Sequence, residues 1–277
     1  MDLIVVSGAT GRLGGRIARR LAGAGLAQCL LVRDPARAPR LTGAEVAQAE
    51  YGDRDALRPA LEGAGTVLMV SASETPDRVE RHRSFVDAAV DAGVPHLLYT
   101  SFVSAAPDSV FTLARDHWAT EDHIRASGLP FTFLRDNLYA DFIPFMVGDD
   151  GVIRGPAGDG RAAVVAQDDI ADAAVAVLRD AAPHAGRTYD LTGPEALSFA
   201  EIAATMTIVT GHPVSFHDET IDEAYASRAA YGAPRWQVDA WVSTYTSVAS
   251  GELSAVSTAV PELTGHPATT LATLLTR

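Results

Sequence analysis

Apolar and polar positions follow a regular order through the first half of the chain. Short apolar runs predict buried strands over 3–6, 28–32, 66–70, 96–101 and 131–134, with a more exposed strand over 45–50. Between them, apolar residues recur at helical spacing over 12–24, 55–61, 76–92 and 113–126. Strands and helices that alternate with short links predict an α/β fold built on a doubly wound parallel sheet.

This alternation ends after Arg135. The stretch 136–145 is rich in aromatic residues, and 149–161 is dense in glycine and charge. Asp168 or Asp169 is placed to cap a helix that runs to Leu178. A strand over 188–191, a helix over 198–210 and a strand over 213–216 follow, and the remainder is mostly helical. We expect a first domain over 1–140, to which 162–192 returns, and a smaller, interleaved C-terminal lobe within 141–277.

The first strand runs directly into a glycine turn, Gly8-Ala-Thr-Gly11-Arg-Leu-Gly14, and then into a helix. Gly8 and Gly11 allow a tight turn and a close approach of backbone N–H groups to an anion, and Gly14 lets the helix pack against the strand. This order predicts a Rossmann-type dinucleotide-binding domain, and the alternative is a purely structural turn. The residues expected to contact the cofactor here are Gly8, Thr10, Gly11, Arg12, Leu13 and Gly14.

The end of the second strand bears on the choice of cofactor. A carboxylate there grips the ribose hydroxyls of NAD, whereas arginine suits the 2′-phosphate of NADP. The strand ends in Arg33, which Arg12 can assist, so NADP (as NADPH) is preferred. NAD stays possible, since Asp34 would favour it if turned inward and Arg33 has a plain surface role as its alternative. Asp53, after the third strand, is a candidate for the adenine amino group or a simple turn residue.

Residues at the ends of the fourth and fifth strands complete the predicted cofactor site. They are Ser71, Ala72, Ser101 and Phe102. Open α/β sheets bind ligands beyond the carboxyl ends of their strands, so these residues are expected to line the cofactor trough. Their alternative is an ordinary turn-forming role.

Composition narrows the function further. The formal charge of −13 argues against nucleic acid or an anionic membrane as the main partner. The single cysteine, Cys29, lies in an apolar run and is expected to be a core residue. A first strand at residue 3 leaves no room for a signal peptide, and no apolar run reaches membrane-spanning length, so a cytoplasmic location is expected. The chain contains no lysine, which excludes any mechanism that requires a lysine ammonium.

Besides the glycine turn, several segments together carry a family resemblance: 32–35, 87–94, 99–101, 119–121, 127–132 and 134–135 with Asn137 and Tyr139. With them the chain resembles the NmrA-like group of atypical short-chain dehydrogenases/reductases, and within it the type 2 NAD(P)H:quinone oxidoreductases. The resemblance covers nearly the whole chain and is thinner after about residue 200. It implies an oxidoreductase that uses NAD(P)H.

One departure from typical short-chain dehydrogenases/reductases is informative. Typical members carry Tyr-x-x-x-Lys on the helix after the fifth strand, and the corresponding pair here is Leu113 and His117. Chemistry through that dyad is therefore not expected. His117 is a candidate replacement as a hydrogen-bond or proton donor, oriented by Glu121, and the alternative is a solvated helix face. The histidines show no metal-ligand spacing, so no metal is expected.

The chemistry that remains possible without the tyrosine–lysine dyad suits an acceptor that is already electrophilic. Hydride addition to a quinone yields a stabilised phenolate that a weak donor can protonate, whereas a simple ketone needs a stronger acid. Tyr139 joins His117 as a candidate catalytic residue. The residues expected to contact a flat acceptor are Asn137, Leu138, Phe142, Phe145 and Met146, whose alternative role is to seal the two lobes together.

The sequence thus predicts an NAD(P)H-dependent oxidoreductase that reduces quinones or similar conjugated aromatic carbonyl compounds. The alternatives are a non-catalytic dinucleotide-binding redox sensor and a tailoring enzyme for aromatic metabolites of a biosynthetic pathway. The expected partner is a small aromatic molecule, with neither nucleic acid nor membrane involved. The protein is expected to be a monomer or a homodimer.

Overall fold

Eleven strands are present in the computed structural model, which describes residues 3–277. In chain order they are β1 (Leu3–Ser7), β2 (Gln28–Val32), β3 (Ala44–Gln48), β4 (Ala64–Met69), β5 (Leu97–Phe102), β6 (Phe131–Asp136), β7 (Val152–Gly155), β8 (Arg161–Ala162), β9 (Arg187–Leu191), β10 (Leu197–Ser198) and β11 (Ser215–Asp218). Seven of them form the main sheet, in the order β3-β2-β1-β4-β5-β6-β9. Two small sheets pair β8 with β10 and β7 with β11.

Ten α-helices lie between and after these strands in the described part of the chain. They are α1 (Arg12–Gly23), α2 (Arg54–Leu61), α3 (Arg78–Asp91), α4 (Thr112–Ser127), α5 (Gln167–Arg179), α6 (Phe199–Thr210), α7 (Ile221–Arg228), α8 (Arg235–Ala249), α9 (Ala259–Thr264) and α10 (Leu271–Leu275). Short 3₁₀ helices, among them Pro35–Arg37 and Ala140–Met146, connect some of the elements.

The order of the main sheet confirms the predicted doubly wound fold. β1 pairs in parallel with β2 on one side and β4 on the other, so the strand order reverses around it. The pairs β2–β3 and β4–β5 are also parallel. The order 3-2-1-4-5-6 is that of dinucleotide-binding α/β proteins, whose ligands bind at the reversal. β3 is mostly exposed, as predicted, because it forms one edge of the sheet.

The chain divides into two compact units. The first unit contains the residues up to Ser101, Asp116–Arg135 and Asp168–Tyr189, and the second contains Phe102–Arg115, Asp136–Gln167 and Asp190–Arg277. The second unit thus includes the segment that follows β5, which the sequence pattern does not indicate. The assignment of one part to the cofactor and the other to the substrate stays a prediction.

Each unit has its own apolar core. In the first unit, buried residues of the central strands pack with those of α2 and α3, and Cys29 lies among them, 7% exposed, as predicted. In the second unit, a core around Phe199, Tyr245 and Val248 joins residues of β7, α6 and α8. No helix within residues 3–277 combines the length and apolar character needed to cross a bilayer.

One predicted helix cap is wrong. The helix α5 begins at Gln167, so Asp168 and Asp169 lie inside its first turn and not at the N-cap position before it. Asp168 instead accepts hydrogen bonds from Arg16 and Arg20 of α1, at 3.1 and 2.8 Å. The carboxylate thereby ties α1 to α5 within the first unit, and the two arginines contribute to lowering its pKa.

Candidate functional site

The glycine turn after β1 has the geometry of a pyrophosphate site. Gly8 has a φ of +66°, and its carbonyl accepts a hydrogen bond of 2.8 Å from the Gly11 N–H. A Cβ atom on Gly14 would lie 2.4 Å from the Gly8 oxygen, so a side chain cannot be placed there without moving the backbone. In the described chain no side chain caps α1, and its first turn carries no acid. The turn therefore fits a dinucleotide.

The other predicted contacts of this turn differ in burial. Thr10 and Arg12 are exposed, whereas Leu13 is buried beneath the turn. Behind it, the Ser7 hydroxyl accepts the Val70 N–H at 2.9 Å and also contacts the Tyr51 hydroxyl. These bonds join the ends of β1 and β4, so the turn rests on a fixed support.

Two acidic residues that bear on the predicted adenosine contacts are engaged in local structure. The Asp34 carboxylate accepts the Ala36 N–H at 3.0 Å and caps the short helix Pro35–Arg37. The Asp53 carboxylate likewise caps α2 by accepting the Ala56 N–H at 3.0 Å. Arg33 is exposed at the end of β2. Because the Asp34 carboxylate is engaged in this helix cap, the side chain that the end of β2 presents is arginine, as a 2′-phosphate site requires.

The loop after β4 is held by buried side chains. The Ser71 N–H donates to Thr100 Oγ1 at 2.8 Å. Both backbone polar groups of Ala72 are hydrogen-bonded. Its N–H donates to His82 Nε2 and its carbonyl accepts from Arg78 Nε, each at 2.9 Å. Arg78 and His82 are 4% and 0% exposed. The backbone at Ser71 and Ala72 therefore has a fixed position.

His117 belongs to the same buried network. Its Nε2 atom lies 3.0 Å from Arg78 Nη2 and its Nδ1 atom 2.9 Å from the Tyr99 hydroxyl. Because arginine only donates, Nε2 accepts and the ring hydrogen is on Nδ1. Burial, and after it the Arg78 charge, hold the pKa of His117 well below its usual value. His117 is thus neutral at physiological pH, and it is not part of a solvated face.

Glu121 has partners other than those predicted. It is fully buried, and its carboxylate accepts hydrogen bonds from Ser101 Oγ at 2.6 Å, from Arg125 Nη2 at 2.8 Å and from Arg135 Nε and Nη2 at 2.8 and 2.7 Å. Its role is therefore to join α4 to β5 and β6. The Ser101 hydroxyl, a predicted cofactor contact, gives its hydrogen to this carboxylate.

Tyr139 and Asp136 form a pair within the second unit. The Tyr139 hydroxyl lies 2.8 Å from Asp136 Oδ2, and Asp136 is 1% exposed. Burial raises the pKa of Asp136 to about 8, and the hydrogen bond from Tyr139 opposes that shift. The Tyr139 ring stacks on Phe142, with 5.7 Å between ring centroids, and Phe142 contacts Phe145. Phe142 and Phe145 are 42% and 67% exposed, so an aromatic surface adjoins the phenol.

The other predicted acceptor contacts lie in different surroundings. Asn137 is buried, with its amide group donating to Leu253 O and accepting from Leu138 N. Phe145 and Met146 line a cavity of about 540 Å³ in the second unit. Its remaining lining residues are Gly148, Val152, Arg154, Ser227, Arg228, Tyr231, Trp241, Thr244 and Tyr245. Phe102, predicted to contact the cofactor, packs its ring on Phe111 in the second unit.

Sequence reasoning missed the buried polar residues. Arg78 and His82 are four residues apart on α3, a spacing that places them on one helix face, but a pair of this kind also occurs on solvated helices. Asp136 ends a buried strand, which is the available signal for it. Neither signal shows burial, which depends on packing between elements distant in sequence.

The strand order and the glycine turn define an α/β protein of the dinucleotide-binding class. The chain belongs to the NmrA-like family, with residues 1–227 matched. This confirms the resemblance predicted from the sequence.

Reductases are among the relatives of the chain. It is 34% identical to quinone oxidoreductase 2 of Escherichia coli, over 98% of this chain and 96% of the relative. It is 36% identical to a (4-alkanoyl-5-oxo-2,5-dihydrofuran-3-yl)methyl phosphate reductase of Streptomyces griseus, over 96% and 94%. The crystal structure of an NADPH-dependent quinone oxidoreductase from Escherichia coli, complexed with NADPH, superposes with a TM-score of 0.90 at 33% identity over 99% of this chain and 98% of that one.

Proposed function

We propose that this protein is an NADPH-dependent oxidoreductase that reduces quinones or similar conjugated aromatic carbonyl compounds. The observation that carries the proposal is the glycine turn, in which Gly14 has no room for a Cβ and α1 has no side-chain cap of its own. The solved structure of the quinone oxidoreductase relative, which holds NADPH, supports the same cofactor. When bound, NADPH supplies a hydride to the acceptor and leaves as NADP⁺.

The residues of the first unit bind and orient this cofactor in the proposal. The backbone N–H groups at the start of α1 hold the pyrophosphate, and Arg33 with Arg12 holds the 2′-phosphate. Ser71 and Ala72 present fixed backbone groups, because Arg78 and His82 hold the Ala72 peptide groups. Asp53 stays a predicted contact of the adenine, and Ser101 stays predicted to line the cofactor trough.

The acceptor is proposed to contact the aromatic surface of the second unit. Phe142 and Phe145 are exposed, large apolar side chains that adjoin each other and Tyr139, and a contiguous apolar patch of this kind is a candidate ligand contact. Flat conjugated rings stack favourably on such a surface. Met146 adds an adaptable apolar contact. Asn137 and Leu138 are proposed to shape the backbone on which this surface rests.

Tyr139 is the proposed proton donor, with its hydroxyl 2.8 Å from Asp136. His117 is less suited to that step, because it is neutral and both of its ring nitrogens have partners. Its proposed role is to hold Arg78, and through it Ala72. Replacing His117 by Ala tests this assignment, since a proton donor would lower kcat, whereas a supporting residue would mainly weaken NADPH binding.

Cofactor binding and turnover are tested together with a matched pair of glycine variants. Gly14→Ala is expected to abolish NADPH binding, whereas Gly23→Ala, at the other end of α1 and with nothing within 4 Å of its Cβ, is expected to leave it unchanged. Fluorescence titration with NADPH and NADH measures binding, and loss of NADPH absorbance with a panel of quinones measures turnover. Tighter binding of NADH would reverse the cofactor preference.

If the wild-type protein binds NADPH but does not oxidise it with any quinone of the panel, the result would favour the non-catalytic sensor. The small aromatic partner, the cytoplasmic location and the monomeric or dimeric state stay predictions.

A further inference from the structure

The carboxyl group of Asp136 lacks the hydrogen bonds that a buried charge requires. The residue is 1% exposed, and its Oδ2 atom lies 2.8 Å from the Tyr139 hydroxyl. Within residues 3–277 its Oδ1 atom has no hydrogen-bond partner. An ionised carboxylate has about four lone-pair sites to satisfy, so a single hydrogen bond leaves the charged form poorly stabilised. The protonated form needs fewer partners and can itself donate a hydrogen.

The backbone around Asp136 is fixed within the second unit. Its carbonyl accepts the Val103 N–H at 3.0 Å, and the following N–H, of Asn137, donates to Leu191 O at 3.1 Å. Tyr139 is fixed in turn by stacking on Phe142. The backbone that carries the Asp136 carboxyl and the ring that carries the Tyr139 hydroxyl are therefore both held in place.

The charged groups on the surrounding segments have other hydrogen-bond partners or lie in solvent. Arg135, the preceding residue, donates to Glu121 in the first unit. Asp141 accepts the Gln167 N–H at 2.8 Å, and Asp190, beside Leu191, is exposed. Burial raises the pKa of Asp136 to about 8, and the hydrogen bond from Tyr139 opposes this rise only in part. At neutral pH the carboxyl is therefore mainly protonated.

We propose that Asp136 is a positioning residue for Tyr139: it holds the phenol and supplies the proton that Tyr139 passes to the reduced acceptor. This inference rests on the proposed function. It also accounts for reductase chemistry in a chain that has no lysine, because a buried carboxylic acid takes over the task of supporting the tyrosine. The nearby aromatic surface of Phe142 and Phe145 is then where the acceptor meets the phenol.

The proton balance of the step is complete. The quinone gains a hydride, with two electrons, from NADPH, which is oxidised to NADP⁺. One quinone oxygen becomes a phenolate and takes the proton of the Tyr139 O–H bond. For this step the hydrogen bond, which Tyr139 donates to Asp136 Oδ2 in the resting pair, reverses: the carboxyl proton lies on Oδ2, and the Tyr139 hydroxyl accepts it while its own hydrogen faces the acceptor. Tyr139 then takes the proton from Oδ2, and the Asp136 carboxylate takes one proton from solvent. The sum is quinone, NADPH and one proton giving hydroquinone and NADP⁺.

Kinetics against pH tests the inference in the full-length protein. The variants are Asp136→Asn, which keeps an oxygen for the Tyr139 hydrogen bond but has no acidic proton, Tyr139→Phe, and Asp141→Asn as the control carboxyl of the same segment. With NADPH and 1,4-benzoquinone, wild-type kcat is expected to fall as pH rises through about 8, where Asp136 loses its proton. Asp136→Asn and Tyr139→Phe are expected to lower kcat by at least about tenfold and to remove that fall. Asp141→Asn should keep the wild-type profile.

Infrared spectroscopy supplies a readout that requires neither cofactor nor turnover. The carbonyl-stretch band of a protonated carboxylic acid is expected in the wild type, with a titration midpoint near pH 8, and is expected to be missing in Asp136→Asn. A wild type without this band at neutral pH overturns the inference, whether or not Asp136→Asn folds. A band that is present while Asp136→Asn keeps the wild-type pH profile overturns the proton-supply role.

A failure of the proposed function would give a different set of results from a failure of this inference alone. If the wild type binds NADPH but reduces no quinone, the proposed function and this inference fall together, even with the infrared band in place. If the wild type is active and Tyr139→Phe keeps its kcat, the proposed function stands and the Tyr139–Asp136 pair is excluded from it.

Discussion

Glu121 in the first unit and Asp136 in the second are carboxyl groups withdrawn from solvent to the same degree, 0% and 1% exposed. Their surroundings differ sharply. Glu121 accepts hydrogen bonds from one serine and two arginines, whereas Asp136 has the Tyr139 hydroxyl on one oxygen and no described partner on the other. Burial alone therefore does not decide what a carboxyl does in this protein. The number of donors around it does.

The difference separates a structural site from a chemical one. A buried carboxylate that is surrounded by donors joins elements together and is disturbed by any loss of charge. A buried carboxyl with one weak partner keeps its proton and destabilises the fold when it ionises. The same exchange of carboxyl for amide should thus have opposite consequences at the two positions, and the predictions below use this contrast.

The largest expected effect is on the pH dependence of stability at Asp136. A carboxyl whose folded pKa is raised to about 8 gives stability that is fully present below its unfolded pKa, about 3.9, and is lost as pH rises through 8. From about pH 5 to about pH 8 this loss amounts to about 4 kcal/mol. Asp136→Asn should remove it. Urea unfolding of both proteins across this range measures the difference, and parallel curves would show that Asp136 is ionised throughout.

At Glu121 the matching exchange of carboxyl for amide should be destabilising. Glu121→Gln removes the negative charge that pairs with Arg135, whose side chain is 21% exposed, and places an amide N–H₂ against its guanidinium. We expect a loss of about 3 kcal/mol in the free energy of unfolding. Asp136→Asn is the matched control, since it makes the same change at the same burial. Equal losses in the two variants would contradict the contrast between the sites.

The buried imidazoles should show a pH effect of the opposite sign. Burial, and after it the Arg78 charge, hold the pKa of His82 well below its usual value. The stability that its neutral form gives is present above the unfolded pKa, about 6.5, and is lost as pH falls below it. In His82→Gln, the free energy of unfolding should decrease less steeply as pH falls into this acidic range (the acid limb of the stability curve). His212→Gln, at an exposed position, is the control, and an unchanged limb in His82→Gln would exclude His82 as its source.

The sequence predicts the elements of the main sheet well because each has a local signal. The glycine turn, the apolar runs and the helical spacing give α1 and the first six strands within a few residues of their observed limits. The α5 cap is wrong because Asp168 has a stronger partner in Arg16 and Arg20, more than 140 residues away in the sequence. Local capping rules carry no information on such a contact.

The residues of the candidate site likewise divide into those with a local sequence signal and those without one. The glycines and Arg33 follow from the motif, since backbone geometry and strand ends are local properties. The protonation state of Asp136 does not follow from the motif, because it depends on which groups fold around the carboxyl. Asp136 and Glu121 both have polar neighbours in the sequence, and three-dimensional packing gives several donors to Glu121 and a single donor to Asp136.

The smallest expected effect concerns the donor that Glu121 shares with the predicted cofactor site. Ser101→Ala removes one hydrogen bond of 2.6 Å from Glu121 and leaves the arginines in place, so we expect a loss of about 1 kcal/mol in stability. Because the Ser101 hydrogen is given to Glu121, its oxygen can only accept, and a ribose hydroxyl is the donor it suits. Losing that bond should weaken NADPH binding by about fivefold. Ser73→Ala, on the exposed loop after β4, is the control for both measurements. Unchanged NADPH affinity beside reduced stability would leave Ser101 as a support for Glu121 alone.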